Sequence, residues 1–445
     1  MSQRHIGTYK ALTYNNLPTL NLLTKVANYA FNIGHPLERW TYDLDISLLK
    51  KPNKIRPSEL RTIGTLEADF NQHASLHFSQ RMMGLGLKHG LIPSSQYAKR
   101  GNRAIEAAIV KVLYFDYLRI NKLNGAFLAM DLENCFDRMA HPVSSLCTQR
   151  LGVSPKITSC MINALCSMKH FIRTAYGDSD VYYTGESNRP FQGGIQGNGA
   201  ASPIFIAISC VILQYIESQI LGFSITSAIS LTFLSLVAIM YVDDTDIMLA
   251  GASHADTPHH VALRAQHAAT TYQAAVHQTG GAIRPNRCPW YSISFKWSSG
   301  KWRYNKTVTD DTIVIKNTQN VHEPITQLNV SIGWKGLGTV ATPDGNWNDH
   351  LTYLINEKIV PWSHFINTSY LQRHDVYRAA FTSMFKTITY TLPATFLNTS
   401  QCKTIDIHLH KKFLPRIGID VHLPLAYRYS SPRYQGLGSL NTETT

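Results

Sequence analysis

No Cys-x-x-Cys occurs in the 445 residues, and the cysteine count is odd. Cys135, Cys147, Cys160, Cys166, Cys210, Cys288 and Cys402 follow no ligand spacing. That excludes a disulfide framework and a zinc ribbon, and implies reduced thiols in an intracellular protein. The start, Met1-Ser2-Gln3-Arg4-His5, has no apolar segment, so no signal peptide is expected. Internal repeats and low-complexity tracts are missing. Charge is sparse at 16% against 44% hydrophobic residues, the balance of a folded chain with two or three core-bearing subdomains. Long apolar runs are few. From Ile220 to Val242 there are 23 residues without a charge, long enough to span a bilayer. Six Ser/Thr interrupt that run and it ends on Asp243-Asp244, so it reads as buried strand plus polar linker, with no membrane partner.

What the chain does have is an uneven charge. The net is +13, with pI about 9.3, which suits a polyanionic partner. Residues 48–125 carry 13 Lys/Arg against 5 Asp/Glu, a net of +8. Residues 351–440 carry 10 against 4, a net of +6. Residues 126–295 carry 9 against 11, a net of −2. Two basic ends thus flank an acidic centre, as in a phosphate-binding cleft around a metal site. Part of the first basic end is a loop of Lys50, Lys51, Lys54 and Arg56 around Pro52 and Pro57. His254, His259, His260 and His267 have no cysteine partners and read as a surface helix face.

The acidic centre holds Ala238-Ile239-Met240-Tyr241-Val242-Asp243-Asp244-Thr245-Asp246-Ile247-Met248-Leu249. Two apolar strands are expected there, joined by a tight acidic turn. Two carboxylates about 4 Å apart repel by roughly 4 kcal/mol at an effective dielectric near 20. A divalent cation is the natural compensation, and aspartate oxygens suit Mg²⁺. A second apolar strand, Phe127 to Met130, also ends on a carboxylate, Asp131. Between the two lies Gly193-Gly194-Ile195-Gln196-Gly197-Asn198-Gly199, a turn where backbone N–H groups can approach a nucleotide. Helices are expected at 59–83, 104–120, 142–151, 155–174, 203–217 and 258–279, the last capped by Thr257-Pro258. A hairpin is expected from 181–183 to 189–191, a short strand at 335–340, and basic helical sequence from 348 onward.

In this order the pieces resemble the polymerase domain of reverse transcriptases of the non-LTR retroelement and group II intron type. Asp131 to Phe136 resembles motif A, Gln196-Gly197 motif B, and Tyr241-Val242-Asp243-Asp244 motif C. Gly280 to Cys288 resembles motif D, and Lys335-Gly336-Leu337-Gly338 motif E, the primer grip. Leu60-Arg61-Thr62-Ile63 and Gln96 to Arg103 resemble the fingers segments. Departures from the pattern are Thr62, Ala98, Gly101-Asn102, Arg287 in place of lysine, and Ser202-Pro203 one residue late.

The resemblance implies an α+β right-hand polymerase with an antiparallel palm sheet packed on helices. Residues 1–36 would be an N-terminal extension and 37–125 the fingers. The palm would be 126–345, with a helical fingers-like insertion at about 142–190, and 346–445 a basic thumb-like region. Asp131, Asp243 and Asp244 would hold two Mg²⁺ ions, with Mn²⁺ as substitute. Phe136 would be the steric gate against a 2′-hydroxyl. Gln196, Gly197, Arg61, Arg100 and Arg287 would contact the dNTP. Lys335, Gly336, Leu337, Gly338, Lys411, Lys412 and Arg416 would contact an RNA template and a DNA or RNA primer. Glu67 and Asp69 read as structural ion pairs. The implied function is RNA-directed DNA synthesis, by what is expected to be a retroelement fragment. The alternatives are a decayed or domesticated relative that binds RNA, and an RNA-dependent RNA polymerase.

Overall fold

A computed structural model describes residues 17–50, 55–56, 59–186 and 188–444. Lys51, Pro52, Lys54 and Pro57 of the expected basic loop lie outside the described residues, as do the first 16 residues of the expected N-terminal extension. The elements that position the site are α1 (Leu17–Ile33), β1 (Tyr42–Leu49), β2 (Leu60–Gly64), α2 (Ala68–Ala74, continued helically to residue 88), α3 (Ala104–Asn121), β3 (Gly125–Asp131), α4 (His141–Arg150) and α5 (Pro155–Cys166). They continue as β4 (Lys169–Thr174), β5 (Gly177–Asp178), α6 (Ala201–Gln219), β6 (Phe223–Thr226), β7 (Phe233–Leu236), β8 (Ala238–Tyr241), β9 (Asp244–Ala250), α7 (Pro258–Gln278) and β10 (Trp290–Ile293). Further on come the hairpin β11 (Trp334–Gly336) and β12 (Thr339–Ala341), then α8 (Asn348–Tyr353), α9 (Val360–Thr368) and α10 (Thr399–Arg416).

The central sheet has strand order β10-β3-β9-β8, antiparallel throughout. Residues 125–130 of β3 are all buried. Alternate side chains serve two cores: Ala126, Leu128 and Met130 join one with α6 and α7, while Phe127 and Ala129 join another with α3. Helices on both faces explain why these antiparallel strands read as continuous apolar runs rather than alternating ones. A second sheet has order β2-β1-β4-β5, with β1 parallel to β4 and antiparallel to β2. The C-terminal helices share a third core built on Leu354, Ile366, Ile405 and Phe413.

Several expectations need correction. Residues 60–64 form β2, and the helix begins only at Ala68, because Leu60–Gly64 pairs in register with Asp45–Leu49. The helix expected over 155–174 stops at Cys166, and Lys169–Thr174 becomes β4, held by β1. The insertion at 142–190 is therefore helical in its first half alone. The hairpin expected at 181–191 reduces to isolated bridges, Tyr183 to His170 and Glu186 to Arg189. The 220–242 run is strands β6, β7 and β8. α6 is the one described helix long and apolar enough to span a membrane, and it is mostly buried in the protein core. The seven cysteines are free thiols. His254, His259, His260 and His267 are exposed, and Thr257 caps α7 by accepting from the His260 N–H.

Candidate functional site

Pairing of β3 with β9 sets Asp131 directly opposite Asp244. Pairing of β8 with β9 joins Tyr241 to Asp244, leaving Val242-Asp243 as a two-residue turn. Val242 has φ +59°. A β-branched residue in the left-handed region costs about 1–2 kcal/mol, and such strain gathers at functional turns. The edge of β8 is covered by residues 95–97: Met240 N–H donates to Ser95 O at 3.0 Å, and Tyr97 N–H to Met240 O at 2.8 Å.

The acids perturb one another. Burial, then Asp243 and Asp246, push the Asp244 carboxyl up to about 6, with Lys111 opposing. The Asp244 residue keeps an open face to the smaller cleft, so solvent there tempers the effect of burial on its carboxyl. The Asp131 carboxyl is also raised, by burial first and by Asp243, against the pull of Arg287. An Arg287 guanidinium nitrogen lies 3.7 Å from Asp131 Oδ2. The segment carrying it docks on β3, since Arg284 N–H donates to Asp131 O at 3.1 Å. Cys288 Sγ accepts the Asp131 N–H at 3.3 Å, and burial holds its thiol up at about 12, so it stays protonated.

Two clefts adjoin these strands. One, of about 210 Å³, is lined by Asp131, Asp244, Asp246, Arg287, Lys335 and Gly336, among others. It faces the β11–β12 hairpin, whose turn residues Leu337 and Gly338 have φ +51° and +82°. Lys335 is half-engaged there, 2.9 Å from Glu357 and over the Tyr353 ring at 4.3 Å. Gly338 faces a separate cleft with Tyr390.

The other cleft, of about 410 Å³, is lined by Lys50, Arg61, Gly64, Asp137, Gln196 and others. β2 and the Gly-rich turn meet in it: Gly64 N–H donates to Gln196 O at 2.7 Å. Gly197 has φ +113°, and a Cβ there would stand 2.2 Å from Gly64 O, so only glycine permits this docking. Asn71 secures the turn from α2, donating to Gly197 O at 3.1 Å and accepting from Gly199 N–H. Phe136 is half-buried with its ring edge-on to Phe205 at 5.9 Å, and its carbonyl accepts the Gly194 N–H.

Other expected contacts are not brought here. Arg100 is exposed on a turn and lines neither cleft. Lys411 and Lys412 are exposed on α10, away from both. Arg416 has a role inside the protein. Its Nε donates to Ile366 O at 2.6 Å and its Nη2 to Ser369 O at 3.1 Å and Leu371 O at 2.7 Å, tying α10 to the end of α9 and the segment after it. Glu67 and Asp69 do form structural pairs, with Arg39.

Two groups escaped the sequence reading. Lys111 Nζ on α3 lies 2.9 Å from Asp246 Oδ2, both side chains buried. The signal was a lone lysine in an Ala, Ile and Val-rich helix. Asp43, Asp45 and His170 cluster where β1 meets β4. Nothing local marks them, since a parallel pairing joins residues far apart in the chain.

No family model and no curated protein matches the sequence. Among solved structures, the chain is similar to telomerase from Candida albicans in complex with a TWJ fragment of telomeric RNA, at 12% identity and TM-score 0.37 over 88% of this chain and 62% of that one. It is similar to apo telomerase from Candida tropicalis truncated from its C-terminal domain, at 12% identity and TM-score 0.38 over 65% of this chain and 56% of that one. The chain spans less than two thirds of the length of either.

Proposed function

We propose that the chain is a reverse transcriptase, extending a primer with dNTPs on an RNA template. The observation that carries this reading is the register that sets Asp131 against Asp244 with Asp243 in the adjoining turn. Residues 37–125, 126–345 and 346–445 would serve as fingers, palm and thumb. An all-carboxylate donor set of mutually repelling acids fits hard cations, Mg²⁺ or its substitute Mn²⁺. Two such ions on Asp131, Asp243 and Asp244 would activate the primer 3′-hydroxyl and stabilise the leaving oxygen.

The chain's own residues do the rest. Arg61 would bind the triphosphate beside Gln196, a bidentate role that guanidinium suits. Phe136 would exclude a 2′-hydroxyl. A guanidinium is a poor proton donor, so Arg287 would serve to neutralise developing negative charge. The β11–β12 hairpin would hold the primer end across the smaller cleft. Asp243→Asn with Asp244→Asn should abolish dNTP incorporation on poly(rA)/oligo(dT) and leave duplex binding intact; normal incorporation would sink the assignment. Phe136→Ala should admit rNTPs.

A second reading has one observation in its favour. Arg287 beside Asp131 supplies part of the positive charge that a metal would. A decayed relative that binds RNA without synthesis would tolerate this. It would shift RNA in a gel and extend no primer with either dNTPs or rNTPs.

A further inference from the structure

Asp43 and Asp45 stand two apart on β1 and so share a face of the sheet. His170 is the register partner of Asp43 on β4. Its Nδ1 lies 3.2 Å from Asp43 Oδ2 and 3.3 Å from Asp45 Oδ2. Asp43 is 2% exposed, Asp45 4% and His170 8%. One donor atom from each falls within 4.8 Å of the others. Yet neither Asp43 oxygen makes an aligned hydrogen bond, and neither does His170 Nδ1, so without an ion the only compensation inside the cluster is an ion pair that requires a protonated His170. The atoms are close but not aligned as donor and acceptor. A buried carboxylate in that condition is costly, and buried charges are found paired or on metals.

The surroundings fit a ligand set. The Tyr183 hydroxyl donates to Asp45 Oδ2, and its ring stacks on His170 at 5.0 Å and 19°. Outer partners of this kind orient metal ligands. Gly64 lies over the cluster, where a Cβ would stand 2.5 Å from Asp43 Oδ2. Asp45, His170 and Tyr183 line the 410 Å³ cleft, which gives an ion a way in.

We propose that Asp43, Asp45 and His170 bind one divalent transition-metal ion, of which Zn²⁺ is the type. The imidazole separates this site from the all-carboxylate set on β3 and β9, because nitrogen ligands favour Zn²⁺ over Mg²⁺. The ion would tie β1 to β4 beneath Gly64, the residue on which the Gln196 turn rests. It requires no polymerase activity and is independent of the reverse-transcriptase reading.

The full chain, dialysed against Zn²⁺ in excess Mg²⁺, should retain one zinc per chain by elemental analysis. His170→Ala and Asp43→Asn should lose it, and Asp243→Asn with Asp244→Asn should keep it. Circular dichroism checks that each variant is folded. Should a variant unfold, Co²⁺ bound to the unaltered protein decides: a visible d–d band that Zn²⁺ displaces and Mg²⁺ does not supports the site. No zinc retained by the unaltered chain, zinc retained by folded His170→Ala, or no Co²⁺ band would overturn the proposal and leave a protonated His170 bridging two carboxylates.

Discussion

Lys111 balances the charge of the acidic strand from inside the protein. Its side chain is 3% exposed, its Nζ sits 2.9 Å from Asp246, and it also stands over the Phe127 ring at 5.3 Å. Asp246 is two residues past Asp244, so this lysine also restrains the Asp244 carboxyl from rising further. Removing one partner of a buried pair leaves an uncompensated charge, which costs about 3–5 kcal/mol. Lys111→Met should lower stability by that order in urea unfolding, and adding Asp246→Leu should recover most of the loss. A double variant as unstable as the single would show that packing, not charge, is what Lys111 supplies. Asp131, Asp243 and Asp244 were legible in the sequence because each interrupts or ends an apolar run, where burial makes a carboxylate conspicuous. Lys111 was not, since a single lysine in a helix ordinarily reads as its solvated face.

Elements were legible where their own residues decide them and illegible where a distant partner does. β3, β8, β9, α6 and α7 follow from apolar runs and caps. Residues 60–64 and 169–174 become strands because both pair with β1, and no local pattern reports that. The structural role of Arg416 is hidden for a similar reason: a basic residue ending a basic helix looks like a phosphate contact, and nothing local reports the three backbone carbonyls that its Nε and Nη2 reach. Two variants separate the roles. Arg416→Ala should destabilise the protein by about 1–3 kcal/mol, since it leaves three part-buried carbonyls at and just beyond the end of α9 without their donor. Lys411→Ala with Lys412→Ala should leave the thermal midpoint unchanged, and any effect should be on nucleic-acid affinity and its salt dependence. Equal stability of Arg416→Ala and the unaltered protein would contradict the capping role. The Gly-rich turn is likewise decided from outside: Gly197→Ala should force it off Gly64 and lower the thermal midpoint.

At the scale of the molecule, two buried histidines make stability depend on pH. His350 accepts the Val340 N–H at 3.2 Å through Nδ1, tying α8 to β12. His410 Nε2 pairs with the Ser439 hydroxyl at 2.7 Å, tying α10 to the last described segment. Burial lowers each from its ordinary 6.5 to about 4. Between those values the unfolded chain holds more protons than the folded one. Stability from both is therefore complete above pH 6.5 and is lost as pH falls toward 4, at about 1.4 kcal/mol per pH unit for each. Urea midpoints at pH 7.5 and 5 should show the drop, and His350→Asn should flatten it. A pH dependence that His350→Asn leaves unchanged would mean that this histidine is not held neutral by burial, since the raised Asp244 carboxyl acts in the opposite sense below pH 6 in both proteins.

The register of Asp131 against Asp244 also has a consequence in time. The two strands are separated by more than a hundred residues, so a ribosome works for on the order of ten seconds after β3 emerges before β9 exists. β10, on the other edge of β3, comes later still. Throughout that interval β3 is an unpaired strand, apolar on both faces, which is a template for aggregation. Yield of soluble protein in a cell will follow whatever shields this strand until β9 is made, so slower synthesis with a chaperone present should raise it.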